Sequence, residues 1–138
     1  RDLLVKVLPY HPFLVKPNNH ELGDIFGVKL STREEVVPYG RKLQEMGAQN
    51  VLISMAGEGA VLIAADGQSM GAPAPKGTLV NGVGAGDSMV AGFLTGWMEK
   101  KDYVHAFHMG IAAGSASAFS ENLATREEVL QVLQQVEQ

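Results

Sequence analysis

Two short apolar runs separated by a four-residue turn constrain the fold of this chain more than any other feature. The runs are residues 50–55 (NVLISM) and 60–65 (AVLIAA). Each is continuous rather than alternating and is bounded by small or turn-forming residues, which is typical of strands buried on both faces of a sheet. Asp66-Gly67 then predicts a hairpin turn, with residues 68–72 as the returning strand.

Amphipathic segments lie on both sides of these strands. A further short strand is predicted at residues 13–15, and Ser31 and Glu34 have the three-residue spacing of a capping box at a helix start. Helices alternating with buried strands predict an α/β fold, a three-layer sandwich with a largely parallel sheet and an antiparallel hairpin at one edge. The predicted helices cover about residues 3–8, 20–26, 31–46, 88–100, 102–120 and 125–136.

Length and composition exclude several classes of protein. The chain has 138 residues, which suits one domain, and its net charge of −4 with scattered Lys and Arg excludes a nucleic-acid partner. The absence of cysteine excludes disulfides and thiol catalysis and favours a reducing, cytoplasmic location. No apolar run is long enough to span a bilayer, and the first residues lack the pattern of a signal peptide, so no membrane partner is expected.

The stretch NGVGAGD, residues 81–87, places three glycines and an acid directly before an apolar helix. It is not a P-loop, because no Lys follows Gly86. It is not the dinucleotide fingerprint either, because the third glycine of that pattern would fall on Asp87 or Met89.

The same stretch still has the physical properties of an anion site. Backbone amides at a helix N-terminus lack helical partners and face the positive end of the helix dipole. Asp87 would repel a phosphate, unless it removes the proton of a hydroxyl while the amides hold the charge that develops on a phosphoryl group. This arrangement predicts a small-molecule kinase, and the alternative is an N-cap Asp on an ordinary glycine turn.

Two more small polar turns follow predicted strands. In KPNNHE, residues 16–21, Asn18 and Glu21 are three apart at a helix start, where an acid can hold water on Mg²⁺ and an Asn can orient that water. Simple helix capping is the alternative reading of this pair. SMAGEG, residues 54–59, follows the strand at 50–55, and ligands of α/β proteins bind at such strand ends.

Together and in this order, the three motifs resemble the ribokinase-like (PfkB) carbohydrate kinases. VGAGDSMVAGF is similar to the second signature of that family, KPNNHE to its Asn-x-x-Glu motif and SMAGEG to its nucleotide-side turn. The resemblance covers essentially the whole chain and departs at Asn81 and Gly82, where the family usually has Asp and Thr. Within the family, the chain is most similar to kinases of fructose 1-phosphate, with kinases of tagatose 6-phosphate as close neighbours.

The resemblance implies a role for each matched position. Asp87 takes the place of the general base, and Gly84, Ala85 and Gly86 take the place of the anion hole. The implied cofactors are ATP and Mg²⁺, with Asn18 and Glu21 as the metal–phosphate pair. Nucleotide contacts are implied for Lys16, Asn18, Ser54, Gly57, Gly59, Gly114 and Ser117.

Members of the family are longer at the N-terminus, so residues 1–138 resemble the C-terminal, ATP-side part of such a kinase. The lid and most sugar-phosphate contacts would lie in the preceding part, and a homodimer would form through that lid. We therefore expect no turnover by this chain alone. A non-catalytic nucleotide-binding module is the alternative function. His105 and His108 have a metal-compatible spacing but no third ligand nearby in sequence, which favours a packed or solvated pair.

Overall fold

The computed structural model describes residues 2–77, 84–119 and 124–137. These residues form two compact units, Arg1–Pro73 and Ala74–Gln138. Short 3₁₀ helices follow α1 and β2. The longer elements, in chain order, are α1 (Asp2–Val7), β1 (Leu14–Val15), α2 (Asn19–Phe26), α3 (Arg33–Glu45), β2 (Asn50–Ser54), β3 (Ala60–Ile63), β4 (Ser69–Ala72), α4 (Ala85–Lys100), α5 (Tyr103–Phe119) and α6 (Arg126–Glu137).

The first unit is built on a four-stranded sheet with the order β1-β2-β3-β4. β1 pairs with β2 in parallel, and β2, β3 and β4 pair antiparallel, with Val51 opposite Ile63 and Val61 opposite Gly71. The predicted α/β class and the hairpin at one edge are confirmed. Among the described strands the sheet is mixed rather than largely parallel, because the β1–β2 pairing is parallel and the β2–β3 and β3–β4 pairings are antiparallel.

α3 packs on β2 and β3 through a face that carries Val36, Gly40 and Leu43, all buried. Gly40 permits this approach, because a Cβ there would lie 2.7 Å from Cγ1 of Ile63. At the start of β2, Asn50 is completely buried. Its Nδ2 donates to the Phe13 carbonyl at 2.9 Å and its Oδ1 accepts from the Ala65 amide at 2.7 Å. One polar side chain thus ties β2 to the residue before β1 and to the turn after β3.

The N-cap of α3 lies one residue later than the sequence predicts. The N-cap is Thr32, and the capping box joins Thr32 to Glu35 instead of Ser31 to Glu34. The Glu35 amide donates to Thr32 Oγ1 at 3.2 Å, while Glu35 Oε1 accepts from the Thr32 and Ser31 amides, both at 2.9 Å. The Ser31 prediction was wrong in register, because both Ser31 and Thr32 have a Glu three residues later.

The hydrogen bonds to Glu35 predict a pH-dependent contribution to stability. Hydrogen bonds from two backbone amides lower the pKa of the Glu35 carboxyl in the folded state. The bond from Ser31 has the largest effect and the bond from Thr32 the next largest. A lowered folded pKa contributes stability that is present above the unfolded pKa and lost as pH falls through the folded value. We expect the difference in melting temperature between wild type and Glu35→Gln to be largest at neutral pH and to shrink below about pH 4. Glu34→Gln is the control, and an equal pH trend in that variant would contradict this assignment.

The described residues of the second unit form the helices α4, α5 and α6, preceded by residues 74–77. α5 packs against both α4 and α6. Lys76 is tied to α6 by two bonds, since its amide donates to Gln135 Oε1 at 2.9 Å and its carbonyl accepts from Gln135 Nε2 at 3.1 Å. None of the helices in the described part of the chain has the length and hydrophobicity needed to cross a membrane.

Candidate active site

The N-terminus of α4 carries the predicted anion hole. Gly84 is the N-cap in the left-handed region (φ 83°), and a Cβ there would meet no atom within 4 Å. The first helical hydrogen bond runs from the Ser88 amide to the Gly84 carbonyl at 2.9 Å. The amides of Ala85, Gly86 and Asp87 therefore precede the helical ladder, where an anion can bind. The preceding positions Asn81 and Gly82 lie outside the described residues.

Asp87 lies in the first turn of α4 and its side chain is exposed. The helix starts at Ala85, three residues earlier than the sequence predicts, so Asp87 is the third helical residue and not the N-cap. The alternative of an N-cap Asp is therefore wrong. An acid in the first turn still gains from the helix dipole, but capping does not account for its presence.

Asn18 and Glu21 form a reciprocal capping box at the start of α2. The Glu21 amide donates to Asn18 Oδ1 at 2.7 Å, and the Asn18 amide donates to Glu21 Oε1 at 2.9 Å. Asn18 and Glu21 therefore do cap the helix, as the alternative reading of this pair predicted. This capping does not remove the proposed metal role, because the Glu21 side chain is exposed and only Oε1 is used in the box.

The donor set around Glu21 fits Mg²⁺ held through water rather than a protein cage. Mg²⁺ usually keeps several waters and is bound by one or two carboxylates plus substrate phosphates. Within the described ranges, no group of three or more His, Cys, Asp or Glu could hold a metal ion. Glu21 with Asn18 would therefore supply a single carboxylate and an orienting amide.

The first unit brings Ser54 beside the KPNNHE motif. Asn18 and Ser54 form an isolated parallel bridge, and the Ser54 amide donates to the Pro17 carbonyl at 3.1 Å. Lys16 is half-buried just after β1. Two motifs separated by more than 30 residues in sequence are thus adjacent at the carboxyl ends of β1 and β2, which is the edge where ligands bind in α/β sheets.

The two predicted nucleotide glycines after β2 differ in structure. Gly57 is exposed, and a Cβ there would meet nothing within 4 Å. Gly59 has φ 100° and ψ −128°, and a Cβ would lie 2.0 Å from the Ala72 carbonyl oxygen. Between β2 and Gly57, Ala56 has a positive φ of 47°, a strained backbone that sequence reasoning missed. Gly57 is therefore open to a ligand. At position 59, in contrast, the backbone conformation and the nearby Ala72 carbonyl require a glycine.

In the second unit, Gly114 and Ser117 are buried on α5. Gly114 faces the start of α4, where a Cβ would lie 3.1 Å from the Ala85 carbonyl oxygen. His105 is paired with Glu99 (Nε2 to Oε1, 3.1 Å), as expected for a packed histidine. A cavity of about 550 Å³ lies among α4, α5 and α6. Ser88 lines this cavity, whereas Asp87, Gly114 and Ser117 do not. Its lining is mainly apolar, so it does not carry the chemistry predicted for the α4 N-terminus.

The chain is similar to known carbohydrate kinases over nearly its whole length. A profile of the pfkB family carbohydrate kinases matches residues 1–130. The 1-phosphofructokinase of Bacillus subtilis (strain 168) is 51% identical over 135 residues, which are 98% of this chain and 44% of that protein. A D-tagatose-1-phosphate kinase of Bacillus licheniformis is 35% identical, with the same coverage of 98% and 44%.

A solved structure gives the same result for the fold. The match is to the crystal structure of a Staphylococcus aureus protein, with a TM-score of 0.92 and 40% sequence identity. The protein in that structure is named as a phosphofructokinase. The match covers 98% of this chain and 44% of that one, so the chain spans less than half the length of these relatives. The expected resemblance is confirmed. The chain belongs to the pfkB family of carbohydrate kinases.

Proposed function

We propose that the protein carrying this chain transfers the γ-phosphoryl group of ATP to D-fructose 1-phosphate, giving fructose 1,6-bisphosphate. The N-terminus of α4 supports this most directly, because amides outside the helical ladder and an exposed Asp87 lie within one turn. A module that only binds nucleotide gains nothing from an acid beside phosphates. The name of the Bacillus subtilis relative supports the choice of acceptor.

In the proposed mechanism, Asp87 accepts the proton of the acceptor hydroxyl. The hydroxyl oxygen then attacks the γ-phosphorus, the bond from that phosphorus to the β–γ bridging oxygen breaks, and ADP leaves. The amides of Gly84, Ala85 and Gly86 hold the negative charge that develops on the transferred group. Mg²⁺, when bound, neutralises phosphate charge, and Glu21 with Asn18 would hold its water. Lys16, Ser54 and Gly57 are proposed to contact the nucleotide.

The acceptor is the part of this proposal that the chain itself determines least. A relative named D-tagatose-1-phosphate kinase favours tagatose 1-phosphate as a second acceptor, in place of the tagatose 6-phosphate expected from the sequence. The two 1-phosphates share the position of their phosphate. We propose that the residues that distinguish them lie outside this chain, which alone is expected to be inactive.

The test is a comparison of acceptors with the complete protein that carries this sequence. ADP formation is measured with ATP and each of D-fructose 1-phosphate, D-tagatose 1-phosphate and D-tagatose 6-phosphate, with an acceptor-free reaction as control. We expect the highest kcat/KM for fructose 1-phosphate. A preference for either tagatose phosphate would replace the acceptor, and ATP hydrolysis or binding without transfer would reject the kinase assignment.

A further inference from the structure

The two longest helices of the second unit meet through glycines on both sides. α4 contributes Gly92 and Gly96, and α5 contributes Gly110 and Gly114, all four buried. A Cβ at Gly92 would lie 2.6 Å from the Met109 carbonyl oxygen, and one at Gly96 would lie 3.0 Å from the Ala106 Cα. The backbones of α4 and α5 thus approach each other closely at all four glycines. The position of α4 is therefore set by the surface of α5.

Gly114 differs from the other three because it faces the first turn of α4. A Cβ there would lie 3.1 Å from the Ala85 carbonyl oxygen and 3.1 Å from the Met89 Cβ. The carbonyl of Ala85 and the N–H of Gly86 belong to one planar peptide unit. Any displacement of the Ala85 oxygen therefore also moves the Gly86 N–H, which lies before the helical ladder.

We propose that Gly114 is a positioning residue for phosphoryl transfer, acting through the Ala85–Gly86 peptide rather than by touching the nucleotide. The inference rests on the proposed function, because it gives the Gly86 amide a role in holding charge on the transferred group. By presenting no side chain, Gly114 lets the first turn of α4 lie against α5 in the orientation that aims this amide.

The chain offers a matched control in Gly96. Gly96→Ala and Gly114→Ala both place one methyl group against the partner helix, with first contacts at 3.0 and 3.1 Å. Both gain the same helix propensity over glycine. Gly96 lies eleven residues after Ala85, roughly 16 Å along the helix axis, so we expect its variant to disturb the helix pair and to leave the Ala85–Gly86 peptide in place.

The experiment measures kcat, both KM values and melting temperature for Gly114→Ala, Gly110→Ala and Gly96→Ala in the complete protein. We expect Gly114→Ala to lower kcat roughly 10-fold to 100-fold with little change in the KM of the acceptor. Gly96→Ala should lose similar thermal stability and keep kcat within about twofold. Gly110→Ala, whose Cβ would lie 3.0 Å from the Met89 carbonyl oxygen, should fall between them. If Gly114→Ala does not fold, the kcat of Gly110→Ala is compared with that of Gly96→Ala instead.

Equal kcat in the Gly114→Ala and Gly96→Ala variants would overturn the proposal. The ¹H–¹⁵N resonances of Gly86 and Asp87 give a readout that does not depend on turnover. They should shift in Gly114→Ala and stay in place in Gly96→Ala, and unchanged resonances in both would also overturn the proposal. If wild type transfers phosphate to no sugar phosphate, the proposed function fails, and these resonances alone decide whether Gly114 sets the geometry.

Discussion

Asp87→Asn is expected to lower kcat by about 10²–10⁴-fold, the usual contribution of a general base. Asn keeps the shape of the side chain but cannot accept the proton of the acceptor hydroxyl. The Kd of ATP should not rise, because the amides of α4 are left in place and the substitution removes a negative charge from beside the phosphates. Steady-state kinetics with fructose 1-phosphate and calorimetric titration with ATP measure the two quantities separately.

Asp102→Asn is the matched control for this variant. Asp102 precedes α5 and its Oδ1 accepts from the Val104 amide at 2.9 Å, which an Asn side chain does equally well. Its kcat should equal that of wild type. If Asp87→Asn is also nearly as active as wild type, Asp87 only complements the helix dipole, and the mechanism is wrong even though the family assignment stands.

Gly59→Ala is expected to lower the free energy of unfolding by about 3 kcal/mol or more, the sum of backbone strain and overpacking. Alanine rarely adopts φ 100°, and its Cβ would lie 2.0 Å from the Ala72 carbonyl oxygen and 2.8 Å from the Pro73 Cα. Both contacts are with backbone, so no rotamer change relieves them. Urea unfolding of the complete protein measures the loss.

Gly57→Ala, two residues earlier in the same turn, should leave stability within about 0.5 kcal/mol, because a Cβ there meets no atom within 4 Å. If Gly57 contacts the nucleotide as proposed, this variant changes the KM for ATP while the unfolding midpoint stays in place. Equal destabilisation by the two substitutions would show that the backbone of Gly59 is not the constraint that the structure indicates.

The strands and the hairpin could be predicted because their signals are local. Continuous apolar runs mark β2 and β3 within two residues, and Asp66-Gly67 marks the turn that follows. The start of α3 could not be fixed, because Ser31 and Thr32 both satisfy the capping pattern. The structure shows Thr32 as the cap, with the Glu35 amide bonded to Thr32 Oγ1, and this choice depends on the path of the chain into the helix, which the capping pattern does not contain.

The candidate site shows the same division. Motif spacing predicts that the α4 N-terminus carries an anion site and that Asn18 and Glu21 pair. The requirement at Gly59 depends on Ala72, and the closeness of Gly114 to Ala85 depends on how two helices pack. Neither contact leaves a pattern along the chain, so the sequence alone predicts a ligand contact for both Gly59 and Gly114.

The glycines between α4 and α5 also determine when these helices can form. Each interior glycine costs about 0.8–1.0 kcal/mol of helix stability relative to alanine. Each helix has two of the contact glycines, Gly92 and Gly96 in α4 and Gly110 and Gly114 in α5. Isolated helices of this length are marginal even with good helix formers. We therefore expect α4 and α5 to fold as a pair, each supplying the surface on which the other becomes helical. The row of amides at the start of α4 would then be assembled only in that docking step, after α5 has been synthesised.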